Sequence, residues 1–114
     1  MKNKEIIRKV NEGFMKGDVE AILSYVADDV RWDMPGYFSL TGKEAFSKEA
    51  INENFEPPVI TTLNEIEEGD LVAVEGTVKS RRKDGGILEG EFFDIYRMQD
   101  GKIKEMRSYF IMKK

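Results

Sequence analysis

The periodicity of the apolar residues changes once along the chain, at Pro57-Pro58, and this change constrains the fold more than any other feature. Before the prolines, apolar residues recur at helical spacing over segments at about 3–16, 19–26 and 43–53. After the prolines, turn-forming residues separate strand-like segments at about 59–68, 71–82, 87–98 and 102–112. Helices followed by a run of strands predict an α+β fold in a single domain over residues 1–114.

The predicted strands are long for a flat sheet of this size, which indicates that they twist and curl. Gly76 and Gly90 lie inside two of them, where glycine typically marks a bend or a bulge. In the last strand the apolar residues step from Ile103 to Met106, and this odd interval predicts a bulge. We therefore expect a cone-shaped, curved antiparallel sheet wrapped around the long N-terminal helix, with one end of the cone open.

The segment between the second and third helices carries shorter signals. Residues 30–34 alternate as a short strand, and the acidic pair at 28–29 is expected to end the second helix before it. Thr41 and Glu44 fit a capping box, in which Thr41 caps the third helix and Glu44 bonds back to the cap.

The composition excludes several kinds of site. The chain contains neither cysteine nor histidine, so it has no disulfide, no thiol nucleophile and no histidine base. No phosphate-binding glycine loop or metal-ligand spacing occurs, and we expect no metal and no cofactor. A net charge of −4 with both signs mixed argues against a nucleic-acid partner. Without a signal-peptide pattern or a membrane-spanning run, we expect a cytoplasmic protein with no membrane partner.

Asp94 is the sharpest candidate for a functional residue. It lies in the middle of a predicted strand, where an acidic residue has low propensity, and strand alternation places it on one face with Phe92 and Tyr96. If this face lines the cone, burial should raise the pKa of Asp94 and favour the neutral acid, which can donate a hydrogen bond. If the other face lines the cone, Asp94 is instead solvated or paired with Arg97 or Lys79.

Several short segments, taken in order, carry a family resemblance. They are FMKGD at 14–18, ADDVRWDMPG at 27–36, Gly42 at the start of a helix, FDIYRM at 93–98 and GKI at 101–103. Together they resemble the nuclear transport factor 2-like superfamily, in particular its SnoaL-like and ketosteroid isomerase-like branch, over nearly the whole chain. The resemblance implies a cone-shaped α+β barrel with a pocket inside, commonly paired into a homodimer through the outer sheet face. Such proteins include isomerases, polyketide cyclases, dehydratases and epoxide hydrolases, so the fold does not select the reaction.

The resemblance also implies roles for individual residues. Asp94 has a position similar to that of the aspartic acid kept neutral in the oxyanion hole of ketosteroid isomerase. Met34 occupies the position of the isomerase base, and Asp33 is the nearest substitute. A shift of one residue points a strand side chain to the opposite face, unless the strand bulges there. Val10 replaces the hydrogen-bonding tyrosine of the first helix, so steroid isomerase activity is not expected.

The face that holds Asp94 is expected to line a pocket for a small hydrophobic ligand. The predicted ligand-binding residues are Val10, Phe14, Trp32, Met34, Phe46, Phe92, Tyr96, Met106, Ser108 and Phe110. Trp32 is either a stacking surface for the ligand or ordinary core. Ser108 in an apolar wall needs a polar partner, and Asp94 on the adjacent strand is the candidate. Tyr109, on the alternate face, would contribute to a homodimer contact.

Three functions remain open from the sequence. The first is a cofactor-free isomerase, cyclase or dehydratase that acts on small hydrophobic substrates, with Asp94 and Asp33 as catalytic acid and base. The second is a module that binds an apolar ligand in the same pocket without transforming it. The third is a dimeric interaction domain in which the pocket is incidental.

Overall fold

The structure, a computed structural model, describes residues 1–51 and 53–113. The helices are α1 (Asn3–Lys16), α2 (Val19–Leu23) and α3 (Lys43–Ala50). The strands are β1 (Val26–Met34), β2 (Phe38–Thr41), β3 (Val59–Glu68), β4 (Leu71–Arg81), β5 (Ile87–Gln99) and β6 (Lys102–Met112). The helix–strand order confirms the α+β class, and the bounds of α1 and of the last four strands agree closely with the prediction.

All six strands belong to one curved sheet, in the order β2-β1-β6-β5-β4-β3. Neighbouring strands are antiparallel except β1 and β6, which run parallel, so the prediction of a wholly antiparallel sheet is wrong at that pair. The parallel pair arises because the chain leaves β1, completes the β3–β5 meander and returns beside β1 in the same direction. The sheet does not close into a barrel, since β2 and β3 remain its edges.

The helix α1 lies across the inner face of the sheet, in contact with β3 and β4. Its apolar stripe of Ile6, Ile7 and Val10 is at most 3% exposed and forms part of the core. Gly17 ends the helix in the left-handed conformation, with a φ of 66°. None of the helices in the described part of the chain is both long and apolar enough to cross a membrane.

The segment between α2 and α3 differs from the prediction. The helix α2 ends at Leu23, and the acidic pair at 28–29 lies inside β1. Val26 and Val30 on either side of this pair are fully buried, so their burial keeps the segment in the sheet. The strand β2 was not predicted. The capping box is not formed either, since Gly42 is the N-cap of α3 and no side chain caps it.

The curvature of the sheet has two identifiable causes. The predicted bulge in β6 is confirmed, because the pairing with β5 skips one residue between Ile103 and Glu105. A second register shift occurs in β3, opposite Gly76. A Cβ atom at Gly76 would lie 2.0 Å from the carbonyl oxygen of Thr61, so only glycine lets the β3 backbone approach this closely.

Candidate functional site

A cavity of about 430 Å³ lies between the inner face of the sheet and the helices. Its wall includes, as predicted, Phe14, Trp32, Met34, Phe92, Asp94, Tyr96, Met106, Ser108 and Phe110. A mostly apolar wall with a few polar groups, at this volume, is typical of a small-molecule site. Within the two described ranges, no group of three or more acidic side chains could hold a metal ion.

Asp94 is the buried carboxyl group of this cavity. It is 9% exposed and faces inward with Tyr96, whereas Phe93 on the alternate face is 39% exposed. The Tyr96 hydroxyl donates to Asp94 Oδ2 over 3.3 Å, and the hydroxyl of Ser108, its cross-strand neighbour, donates a second hydrogen bond. Trp32 Nε1 in turn donates to Ser108 Oγ over 3.0 Å. The inward orientation of Asp94 and its pairing with Ser108 are thus confirmed.

Burial controls the protonation of Asp94. Removal from water raises the pKa of this carboxyl from 3.8 to about 6, although the hydrogen bonds from Ser108 and Tyr96 oppose the shift. Burial, together with the nearby Asp94 carboxyl, raises the pKa of Tyr96 well above its ordinary value, so the phenol stays a neutral donor. Near neutral pH, Asp94 therefore exchanges between a neutral form that donates a proton and an ionised form that accepts one.

Trp32 both lines the cavity and belongs to the core, at 6% exposure. Its ring lies 6.5 Å from that of Phe14, 5.2 Å from that of Phe38 and 4.9 Å from that of Phe46, measured between centroids. These contacts restrain the indole, and its hydrogen bond restrains Ser108. The aromatic cluster therefore positions the hydroxyl that bonds Asp94.

Asp33 does not share this cavity with Asp94. Asp33 pairs with Ser39 on one side and Arg107 on the other, and the register is regular over 31–33. The register shift of β1 lies earlier, between Val26 and Arg31, and does not turn Asp33 inward. The carboxylate therefore points to the outer face, where it accepts hydrogen bonds from Ser39 and Arg31. The Ser39 hydroxyl and the guanidinium groups of Arg31 and Arg107 lower its pKa. The expectation that Asp33 works as a base beside Asp94 is corrected on this geometry.

Val10 and Phe46 lie in the core and not in the cavity wall. Both are fully buried, at 0% exposure. Val10 belongs to the apolar stripe of α1, and Phe46 packs behind the wall against Trp32. The expectation that these two residues bind the ligand is corrected, because helical periodicity shows which side chains face inward but not which reach an empty space.

The wall also includes residues that were not predicted as site residues. They are Asn11, Tyr37, Phe38, Glu49, Phe55, Pro58, Ile60, Val78, Leu88, Tyr109 and Met112. The apolar members of β3, β4 and β5 follow the same strand alternation that identified Phe92, so the signal for them was present in the sequence. Asn11 precedes Phe14 by three residues and shares its helix face, which is the signal that could have found it.

Comparison with known proteins assigns the family. Residues 7–106, most of the chain, match the model of the SnoaL-like domain. The chain belongs to the SnoaL-like family. No curated protein matches this SnoaL-like domain.

Solved structures share the fold of this SnoaL-like domain. TerC, co-crystallised with polyporic acid, is 27% identical, with 96% of this chain and 91% of that chain covered and a TM-score of 0.82. An NTF2-like protein of unknown function from Burkholderia pseudomallei is 21% identical, with 97% and 92% covered and a TM-score of 0.84. A putative SnoaL-like polyketide cyclase from Jannaschia is 19% identical, with 95% and 84% covered and a TM-score of 0.81. The predicted superfamily is thereby confirmed.

Proposed function

We propose that this SnoaL-like domain binds a small apolar molecule in the cavity and that neutral Asp94 donates a hydrogen bond to a carbonyl or hydroxyl oxygen of that molecule. The observation that carries the proposal is that Asp94, in a mostly apolar wall, is the one carboxyl group among the described residues that is buried. An ionised carboxylate there would lack the solvation that it has in water, whereas the neutral acid can donate its proton to a ligand oxygen.

A second candidate function is catalysis at the same site, as a cofactor-free isomerase, cyclase or dehydratase. The observation that favours it is the pKa of Asp94 at about 6, because an acid with a pKa near the working pH can both give and take a proton. Its proton would stabilise negative charge as it develops on a substrate oxygen. The putative SnoaL-like polyketide cyclase from Jannaschia supports a reaction of this class without identifying a substrate.

The binding proposal is tested with two probes that differ only in a carbonyl group, benzophenone and diphenylmethane. At about pH 5.5, where Asp94 is mostly neutral, wild-type protein is expected to bind benzophenone about fivefold more tightly, which corresponds to one neutral hydrogen bond. Asp94→Leu keeps the branched shape and the number of heavy atoms of the side chain but removes the donor, so this preference should disappear. Isothermal titration calorimetry measures both affinities, and polyporic acid is the first probe from a relative.

A matched variant controls for the change of Asp to Leu. Asp28 lies on β1 with a side chain that is 99% exposed, so Asp28→Leu should keep the preference for benzophenone. Equal binding of the two probes by wild-type protein would contradict the proposal, as would an undiminished preference in Asp94→Leu.

The outer face of the sheet supports a separate proposal, a homodimer. Phe93, Tyr109 and Ile111 lie on this face at 39%, 42% and 71% exposure, and Phe93 pairs directly with Tyr109 across the strands. Tyr109 also contributes atoms to the cavity wall, so benzophenone affinity is measured alongside the dimer in its variant. We expect Tyr109→Ala to weaken a dimer about tenfold or more, measured by sedimentation equilibrium, because truncating a central aromatic removes a large buried contact. Met15 has a similar exposure of 39% on α1, so Met15→Ala is the control. A monomeric wild-type protein, or a dimer unaffected by Tyr109→Ala, would exclude this interface.

A further inference from the structure

Asn11 places a polar group in the helix side of the cavity wall, opposite the sheet that carries Asp94. It is half-buried on α1, on the same face as Ile7 and Phe14. Among the described residues, the Asn11 side chain makes no hydrogen bond. Its polar atoms remain accessible, and the residue lines the cavity. Its amide therefore has two donors and one acceptor open to a molecule that enters the cavity.

The fold itself gives no reason for an asparagine at this position. Asparagine is an unfavourable residue in a helix interior, where its side chain usually competes for backbone hydrogen bonds. Asn11 lies in the middle of α1 and forms no such bond, nor does it cap either end of the helix. Its contribution to helix stability is therefore unfavourable relative to alanine, which leaves the cavity as the place where its amide is useful.

We infer that Asn11 is a specificity-determining residue and that the ligand carries two polar groups on an apolar body, one oxygen bonded by Asp94 and a second hydroxyl or carbonyl bonded by the Asn11 amide. This inference rests on the proposed binding function and narrows its ligand class. A wall with polar groups on both the sheet and the helix fixes the orientation of a ligand as well as its position. A site built to bond a polar group discriminates against an analogue that lacks it, because the amide, once the ligand covers it, then stays unpaired.

The test uses pairs of substituted benzophenones in which a hydroxyl group in one compound replaces a methyl group in the other. The pairs are hydroxymethylbenzophenone and ethylbenzophenone, each substituted either para or meta so that the second group reaches different parts of the wall. The ratio of the two affinities is measured by calorimetry in wild-type protein and in Asn11→Ala, a change that favours the helix. In at least one pair, the ratio in favour of the hydroxymethyl compound is expected to fall about fivefold in Asn11→Ala, the value of one hydrogen bond.

Two further variants sharpen the result. Asn11→Leu should give the same fall, because it keeps the branched shape of the side chain and fills the space in which a water molecule could replace the amide. Glu12→Gln, on the exposed side of the same helix, should leave the ratio unchanged. An unchanged ratio in Asn11→Ala for both pairs would overturn the inference, and so would an equal fall in Glu12→Gln. If wild-type protein prefers benzophenone over diphenylmethane but the ratio of hydroxymethylbenzophenone to ethylbenzophenone affinity is the same in Asn11→Ala, only this inference fails. If wild-type protein does not prefer benzophenone, the proposed function fails as well.

Discussion

The affinity of the wild-type protein for benzophenone is expected to fall about fourfold or more between about pH 5.5 and about pH 8, because ionised Asp94 lacks the proton that the neutral acid donates to the ligand carbonyl, in a hydrogen bond worth about fivefold. With a pKa of about 6, most of the Asp94 carboxyl is neutral at the lower pH and about one part in a hundred at the higher pH. Benzophenone does not titrate in this range, so the profile reports the protein. Calorimetry at four or more pH values would locate the midpoint.

Two variants test whether Asp94 causes this profile. Asp94→Asn keeps the shape and can still donate through its amide, so its affinity should be independent of pH. Ser108→Ala removes a hydrogen bond that lowers the pKa of Asp94, so the midpoint should move to higher pH. A flat profile in wild-type protein would contradict a neutral donor, and a pH-dependent Asp94→Asn would assign the titration to another group.

The same titration affects stability, with a defined sign. The pKa of Asp94 is higher in the folded protein, about 6, than the ordinary value of 3.8, so the folded state binds the proton more tightly. The contribution of Asp94 is fully present below about pH 4 and is lost as the pH rises through about 6, an effect of about 3 kcal/mol. The difference in unfolding free energy between wild-type protein and Asp94→Asn, measured by urea denaturation across this range, isolates it from other carboxylates.

Gly76→Ala is expected to destabilise the protein by about 3 kcal/mol or more, which lowers the melting temperature by roughly 10 °C. The added Cβ atom would lie 2.0 Å from the backbone oxygen of Thr61 and 3.1 Å from the ring of Phe92. A backbone atom of a paired strand cannot move aside without breaking the β3–β4 ladder, so the cost exceeds that of an ordinary side-chain clash. Thermal and urea denaturation both measure it.

Gly69 provides the matched control for Gly76. It has a φ of 56° in the β3–β4 turn, and a Cβ atom there would meet nothing within 4 Å. Gly69→Ala should therefore cost only about 1–2 kcal/mol, for the left-handed backbone conformation alone. If both variants lose the same stability, close approach of the strands is not what Gly76 permits.

Gly90 connects this curvature to the site. A Cβ atom at Gly90 would lie 2.4 Å from the carbonyl oxygen of Ile111 and 2.6 Å from the ring of Phe110, which lines the cavity. Because Gly90 has no side chain, the β6 backbone can approach it closely and the Phe110 ring can pack directly against it. The two glycines, predicted as bends, are part of what gives the cavity its volume.

The apolar periodicity and the turn residues determined the positions of α1 and the last four strands, and strand alternation placed Asp94 on one face with Phe92 and Tyr96. These features depend on contacts between residues close in sequence or directly across a hairpin, so the sequence pattern carries them. The bulge near Ile103 was predictable for the same reason, because one extra residue breaks the alternation visibly.

The sequence alone thus determined the fold class and singled out Asp94, while the tertiary structure decided that its face is the inner one and which residues surround it. The parallel pairing of β1 with β6, and with it the outward position of Asp33, depends on strands far apart in the chain. Whether an apolar residue reaches the empty space or lies behind it, as Val10 and Phe46 do, depends on how far the sheet curves away from the helices. The pairing of β1 with β6 and the distance of a side chain from the cavity produce no periodic pattern in the sequence. Both follow from packing between residues far apart in the chain and not from the local alternation of side chains.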